Sequence, residues 1–320
     1  MATFAERRYI AAMESREPSV GRATLLIIAS ALSFGSISVL TVLITRTGLP
    51  LITAMAWRYV AASGVLLGII GTRHFKELPT QKLGGLFIIG GCGQALITYL
   101  SLHALQYISV GPLAFLFYTY PAWVTLLAAL RGAERLTPIS ISALTLALIG
   151  VTVIVGVRTT EKLNPIGVTL ALASAILYSA YLPSLNHFQQ RVPAFVCAFL
   201  VALGAAVSFV LSAMFGKQLY FPSGLVVWSN ILILALVSTV IAFSALIKGL
   251  SVLGPVRTAI IATVEPFFTA ILGVAILGNE LTVTVLIGGV FIAAGVLVIQ
   301  WNSGRIEISV EPPVADAQLR

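Results

Sequence analysis

Charge is what this sequence has least of. Only 9% of its 320 residues are charged, against about a quarter in a soluble globular domain. A chain this poor in charge cannot cover a water-facing surface with polar groups. Two soluble domains, which the length alone would allow, are therefore excluded. The 11 acids include a single aspartate, Asp316, near the C-terminus. Three histidines (His74, His103, His187) and two cysteines (Cys92, Cys197) are too few for most metal cages, zinc sites or disulfide frameworks. No metal site and no cofactor is expected. The phosphate-cradling pattern G-x-x-x-x-G-K-[ST] does not occur, which removes nucleotide hydrolysis by that route. No His-Glu-x-x-His motif, intramembrane aspartate or mid-depth Ser–His pair is present either, so the chain is not expected to be an enzyme.

What fills the space is apolar: 58% of the residues are hydrophobic and the mean hydropathy is +1.03. A helix needs roughly 20 apolar residues to cross about 30 Å of hydrocarbon. The first such stretch runs over 23–45, between Arg22 and Arg46, with no charge inside. Nine more follow at about 50–71, 83–105, 110–130, 137–157, 166–187, 193–215, 225–247, 256–277 and 282–301. The spacing predicts an all-α membrane protein of ten transmembrane helices with loops too short for a soluble domain. Strands of a β-barrel would show short alternating segments, whereas these runs are continuous. The N-terminal segment carries Glu6, Glu14 and Glu17 and no apolar core before Arg22, so it reads as neither a secretory signal nor a transit peptide.

Lysine and arginine set the expected orientation. With the N-terminus in the cytoplasm, that side holds Arg7, Arg8, Arg16, Arg22, Arg73, Lys76, Lys82, Arg131, Arg135, Arg191, Lys248, Arg257, Arg305 and Arg320. The outer side holds Arg46, Arg158, Lys162 and Lys217. Both termini are thus expected in the cytoplasm, and the net charge of +8 is explained by topology without a nucleic-acid partner.

The halves echo one another. Pro121/Pro266, Leu136/Leu281, Thr137/Thr282 and Gly150/Gly295 all share a spacing of 145 residues, as do His103-Ala104-Leu105 and Lys248-Gly249-Leu250. Ala29-Ser30-Ala31 and Ala173-Ser174-Ala175 are 144 apart. Each unit holds five spans, an odd number, so the second unit enters the membrane from the opposite side. The expectation is two inverted five-helix repeats, over 23–157 and 163–301, around a central cavity, with cytoplasmic tails at 1–22 and 302–320. Inverted repeats are a common architecture of secondary transporters, because exchanging conformations between the halves opens a central site to alternate sides.

Here the sequence resembles a known family. Ala56-Trp57-Arg58-Tyr59 in span 2 and Phe117-Tyr118-Thr119-Tyr120-Pro121, running on to Gly132-Ala133-Glu134-Arg135-Leu136-Thr137, carry the likeness in the first half. Val264-Glu265-Pro266-Phe267-Phe268, running on to Gly278-Asn279-Glu280-Leu281-Thr282, carry it in the second. Over about 22–301 the chain resembles the EamA-type members of the drug/metabolite transporter superfamily. The resemblance implies a cavity lined by spans 1, 3, 4, 6, 8 and 9, and export or exchange of amino acids, sugars or other metabolites. One departure is Tyr120 where the second half has Glu265, so acidic chemistry would be one-sided.

Few polar residues can carry chemistry in lipid. Glu265 is separated by seven uncharged residues from Arg257 and by 14 from Glu280, near mid-span, where an ionisable group costs at least a few kcal/mol and usually faces a cavity or a partner. It can take a coupling proton, pair with a substrate ammonium, or form a structural ion pair with Lys248 or Arg58. Pro121 and Pro266 each remove a helical hydrogen bond, giving either a paired hinge or a static kink. Tyr118 and Tyr120, two apart, should face different directions on a regular helix, with Tyr120 toward the cavity. Arg58, eight residues into span 2, either snorkels to the outer interface or meets a substrate anion. His103 and Lys248, near equivalent helix ends, suit interfacial anchoring or the substrate path. Gln94, Ser33, Ser36, Tyr178 and Tyr181 are further candidates for the lining. Glu134 and Glu280 follow short turns and are expected to tie helix ends. Gly90, Gly91, Gly93, Ala143/Ala147 and Gly289/Ala293 are expected to let helices approach closely.

The expected partners are the lipid bilayer and a small-molecule substrate, with protons as a candidate coupling ion, in a monomer or weak homodimer. Amino acids or related zwitterions are the first expectation for the substrate; sugars, nucleosides or drug-like cations are the alternative. A receptor or assembly factor is the alternative of another class. The expected location is a bacterial inner membrane.

Overall fold

The computed structural model describes residues 19–71, 80–108, 110–132, 137–155, 163–278 and 280–308. The expected N-terminal tail to residue 18, the turn containing Glu134 and the end of the C-terminal tail lie outside these residues. Among the described residues there is no strand. Ten helical units appear in chain order: α1 (Val20–Thr45), α2 (Leu51–Ile70), α3 (Thr80–Ala104), α4 (Val110–Phe117 and Tyr120–Leu130), α5 (Pro138–Val155), α6 (Pro165–Gln189) and α7 (Ala194–Phe215). The continuous helix Leu225–Ala262 then supplies α8 and the first part of α9. Glu265–Leu277 completes α9, and Val283–Ile308 is α10. Among the described residues nine helices are long and apolar enough to cross a membrane; the second part of α9 is shorter because its span is split. The division between α8 and α9 falls at Gly254, whose φ of 73° breaks the helix just before Pro255.

Helix pairing follows a two-fold pattern. α1 packs along α8 and against α9, and its counterpart α6 packs along α3 and against α4. α2 lies on α7, and α5 on α10. The pairs run antiparallel. Ala23 and Ile27 meet Gly249, while Ser30 and Ser36 meet Ala242 and Ser238; in the other half Gly85 meets Phe188, Gly93 meets Tyr181 and Gly167 meets Ile108. Tyr59 of α2 stacks on Phe209 of α7 at 5.6 Å, and Thr53 bonds the Gln218 carbonyl. Two equivalent helices that touch while antiparallel are related by an axis perpendicular to both, which for spanning helices lies in the membrane plane. The repeats are inverted.

Small residues make these contacts, as expected where lipid removes the hydrophobic drive between helices. In α10, Gly295 lies over Ala143 and Ala147 of α5, and Gly288 over Gly150. Gly289 turns the other way, onto the Phe267 ring; it does not join the α5–α10 seam. Both α3 and α8 contain a π-helical stretch, at Leu86–Cys92 and Leu236–Ile241. A π segment inserts a residue and leaves backbone groups short of helical partners. In α3 the bulge is closed by bare backbone: Gly90 meets Val201, and Gly91 meets Gly204 of α7. In the first half of α2, Trp57 donates to the Tyr220 carbonyl (2.9 Å) and packs on Phe221 and Trp228, an aromatic cluster of the kind that settles at a membrane–water boundary.

A methyl group at Gly204 would run into the Phe87 carbonyl and the Gly91 backbone. Gly204→Ala is therefore expected to lower stability by about 1–3 kcal/mol, read as an earlier thermal unfolding transition in detergent; an unchanged transition would contradict the close α3–α7 approach.

Candidate functional site

Proline breaks α4 and α9 at mid-membrane. Pro121 cannot donate to the carbonyl four residues back, and neither can Pro266. The backbone tightens just before each: Thr119 N–H bonds the Leu116 carbonyl at 3.3 Å, and Thr263 and Val264 bond Ile260 and Ile261, both at 3.2 Å. A side chain adds to the backbone bond at both places. Thr119 Oγ1 donates to the Leu116 carbonyl and Thr263 Oγ1 to the Ile260 carbonyl, each at 2.6 Å. After the break each helix restarts with an X-Pro pair, Tyr120-Pro121 and Glu265-Pro266. Two half-helix N-termini, with their positive dipole ends, thus sit near the middle of their spans. Such discontinuous helices mark binding sites in membrane proteins.

Glu265 opens the second of these half-helices, where a carboxylate is favoured by the dipole. It is half-buried. The Tyr118 hydroxyl is its side-chain hydrogen-bond partner, and the phenols of Tyr120 and Tyr178 lie within electrostatic reach. Tyr120 and Tyr178 meet edge to face at 4.7 Å, and Phe117 leans on both at 5.6 and 5.7 Å. Tyr118 and Tyr120 are buried while Tyr178 stays partly exposed, so the group is closely packed. Tyr118 and Tyr120, on either side of Thr119, both come within electrostatic reach of Glu265. Gly35 of α1 permits this closeness: a side chain there would press on the Glu265 carbonyl and on Thr269, whose hydroxyl reaches the Gly35 carbonyl at 3.3 Å.

Arg58 corrects an expectation. Its guanidinium does not snorkel to the interface but is buried, at 3% exposure. It enters the π-helical stretch of α8, donating from Nε to Thr239 Oγ1 at 2.8 Å and from Nη2 to the Ser238 carbonyl at 2.7 Å. Ser30 Oγ satisfies the Ala242 carbonyl of the same segment at 2.8 Å, and Ser36 Oγ shares a 2.7 Å bond with Ser238 Oγ. Serines of α1 and an arginine of α2 thus supply what the α8 bulge lacks. The α3 bulge, by contrast, is sealed with glycine. Glu265 has its partner in Tyr118, and no ion pair to Arg58 or Lys248 occurs among the described residues.

The remaining candidates divide. Tyr181 joins the tyrosine group, its ring 5.8 Å from that of Tyr178. Ser36 stands at the α1–α8 contact, and Ser33 bonds back to the Ala29 carbonyl of its own helix. Gln94 also turns to its own helix, at Thr98. His103 stacks between Tyr99 and Tyr107 at 5.6 and 6.0 Å, and Lys248 is exposed; neither is brought to Glu265. Cys92 and Cys197 are free thiols. A groove of about 300 Å³ lies on α5, lined by Thr145, Leu148, Ile149, Thr152 and Val153, but its threonines bond their own helix carbonyls. Sequence reasoning gave no role to Phe117, Tyr59, Ser238 or Thr239. The first two lie inside the motifs already noted. Nothing in Leu-Val-Ser-Thr-Val-Ile announces a π-helical stretch.

Comparison with known proteins gives a family and a fold. The EamA-like transporter family matches twice, over residues 21–156 and 165–301. A crystal structure described only as that of a protein superposes with a TM-score of 0.74 at 21% identity, covering 90% of this chain and all of its own. A comparison with curated proteins yields no significant match.

If Tyr118 and Glu265 hold one another, their substitutions are not additive. A double-mutant cycle of Tyr118→Phe and Glu265→Gln, read by thermal unfolding, should give a coupling energy of about 0.5–3 kcal/mol; strict additivity would show that the two side chains do not interact.

Proposed function

Because the chain belongs to the EamA-like transporter family, whose two matches span both halves, we propose that it exports or exchanges amino acids or related zwitterions by alternating access. Membership makes it a small-molecule transporter of the drug/metabolite type, embedded in lipid. The substrate class rests on one observation: a lone mid-membrane carboxyl, Glu265, ringed by Tyr118, Tyr120 and Tyr178 at the restart of a broken helix. A carboxyl with phenol faces around it suits an ammonium. The ion pair and the aromatic quadrupoles act together, and a cation over such a ring gains about 0.5–2 kcal/mol where water is excluded. The same carboxyl can carry the coupling proton, with substrate and proton occupying it in turn. A sugar would leave the negative charge unanswered.

The two units, 23–157 and 163–301, exchange conformations about the Pro121 and Pro266 breaks, opening the tyrosine compartment to one side and then the other. The protein works as a monomer or weak homodimer in a bacterial inner membrane, with both termini in the cytoplasm. The lysine and arginine distribution supports that orientation.

In proteoliposomes, saturable uptake of a labelled amino acid should fall at least about tenfold in Glu265→Gln, the scale of one lost charged contact. Undiminished, pH-independent uptake would remove Glu265 from the mechanism. For orientation, Ser223→Cys and Gln190→Cys in a background without Cys92 and Cys197 should react with an impermeant thiol reagent from outside and inside respectively; the reverse pattern would invert the assignment.

A further inference from the structure

The tyrosine group does not end at Glu265. From Tyr178 it continues to Tyr181, whose ring is stacked on it at 5.8 Å and 23°. Tyr181 is 3% exposed, and its hydroxyl has no hydrogen-bond partner. A buried phenol left this way costs free energy, and native proteins rarely leave one unanswered without a reason. Its ring is seated against Gly93 of α3, where a side chain would crowd it at 3.1 Å. The Tyr59 phenol on α2 lies within electrostatic reach of Tyr181. Behind it stands Arg58, its guanidinium 5.0 Å from the Tyr59 ring centre. That guanidinium is held by Thr239 and the Ser238 carbonyl, and no carboxylate neutralises it among the described residues.

The row therefore has a carboxyl at one end, a guanidinium at the other and phenols between. The two groups do not pair, although Arg58 is buried in the protein, where an unpaired charge is costly. Opposite charges kept apart on either side of hydrogen-bonding groups match a ligand that is itself dipolar.

The geometry points to Tyr181 as the donor for the carboxylate of a zwitterionic substrate. The substrate's ammonium rests on Glu265, and the positive field of Arg58, acting past Tyr59, favours the negative end. Tyr181 then decides between an amino acid and the corresponding bare amine, because only the amino acid gives its hydroxyl an acceptor. An interaction present in one ligand and missing in the other is how a site discriminates strongly. Arg58 acts through the field and through the α8 bulge, so it is a positioning residue; Tyr181 touches the ligand. This assignment rests on the proposal that Glu265 binds an ammonium.

The test uses the full-length protein in nanodiscs. Equilibrium binding is measured for the twenty L-amino acids and, for the tightest binder, its decarboxylated amine (phenethylamine for phenylalanine, isoamylamine for leucine). Wild type should prefer the amino acid over the amine by about tenfold or more, as a hydrogen bond to a charged group implies. Tyr181→Phe, which removes one oxygen and leaves the ring packing, should erase that preference while amine affinity stays within about twofold. A Tyr181→Phe protein that keeps the preference overturns the assignment. Glu265→Gln should instead weaken amine and amino acid alike; if it weakens neither, the ammonium site fails whatever Tyr181 does. Wild type that binds the amine at least as tightly as the amino acid, or binds no amino acid, also overturns the carboxylate role. Because the readout is a ratio of two ligands on one protein, a general loosening of the fold does not imitate it.

Discussion

A backbone carbonyl that loses its helical partner inside a bilayer has no water to turn to, and much of this protein's centre follows from that constraint. Pro121 and Pro266 release carbonyls at mid-depth, and two π-helical stretches disturb the ladder again in α3 and α8. Side-chain hydrogen bonds or close packing gather at each of these places. Thr119 and Thr263 turn their hydroxyls onto the preceding turn; Ser30 and Arg58 answer the bulge in α8; glycine contact closes the bulge in α3. The acid and the tyrosines gather beside the two breaks, where backbone polarity is already concentrated.

The two halves share an architecture but not a chemistry. The contacts of α1 with α8 and α9 are repeated by α6 with α3 and α4, as inverted duplication requires. Yet the acid stands only in the second half, with Tyr120 at its equivalent place, and the buried guanidinium sits in only one of the two bulges. A symmetric frame makes two opposite openings similar in energy. An asymmetric lining gives the site between them a negative end and a positive end, which a symmetric lining could not provide.

Much of the frame was legible in the sequence. Continuous apolar runs gave the spans, and the constant spacing of Pro121/Pro266 and Gly150/Gly295 gave the repeat, since both features are local in the chain. Glu265 was legible because a lone acid in a long uncharged stretch has few structural explanations. What stayed hidden depends on helix packing and on departures from regular helix. That both Tyr118 and Tyr120 come within reach of Glu265 depends on how distant helices pack, and Arg58 could not be placed without the π-helical segment that receives it. Hydrophobic periodicity carries no signal for one inserted residue. Which helix each of the neighbours Gly288 and Gly289 meets, α5 for the first and Phe267 for the second, is likewise not fixed by composition.

The central claim is that the compartment between the two half-helix N-termini holds the transported molecule. The most direct measurement is an experimental density map of the protein with its tightest-binding amino acid. Density bridging Glu265 and Tyr181, within hydrogen-bond reach of both, is the result this account predicts. Ligand density elsewhere, with the tyrosine group empty and packed as before, would contradict it.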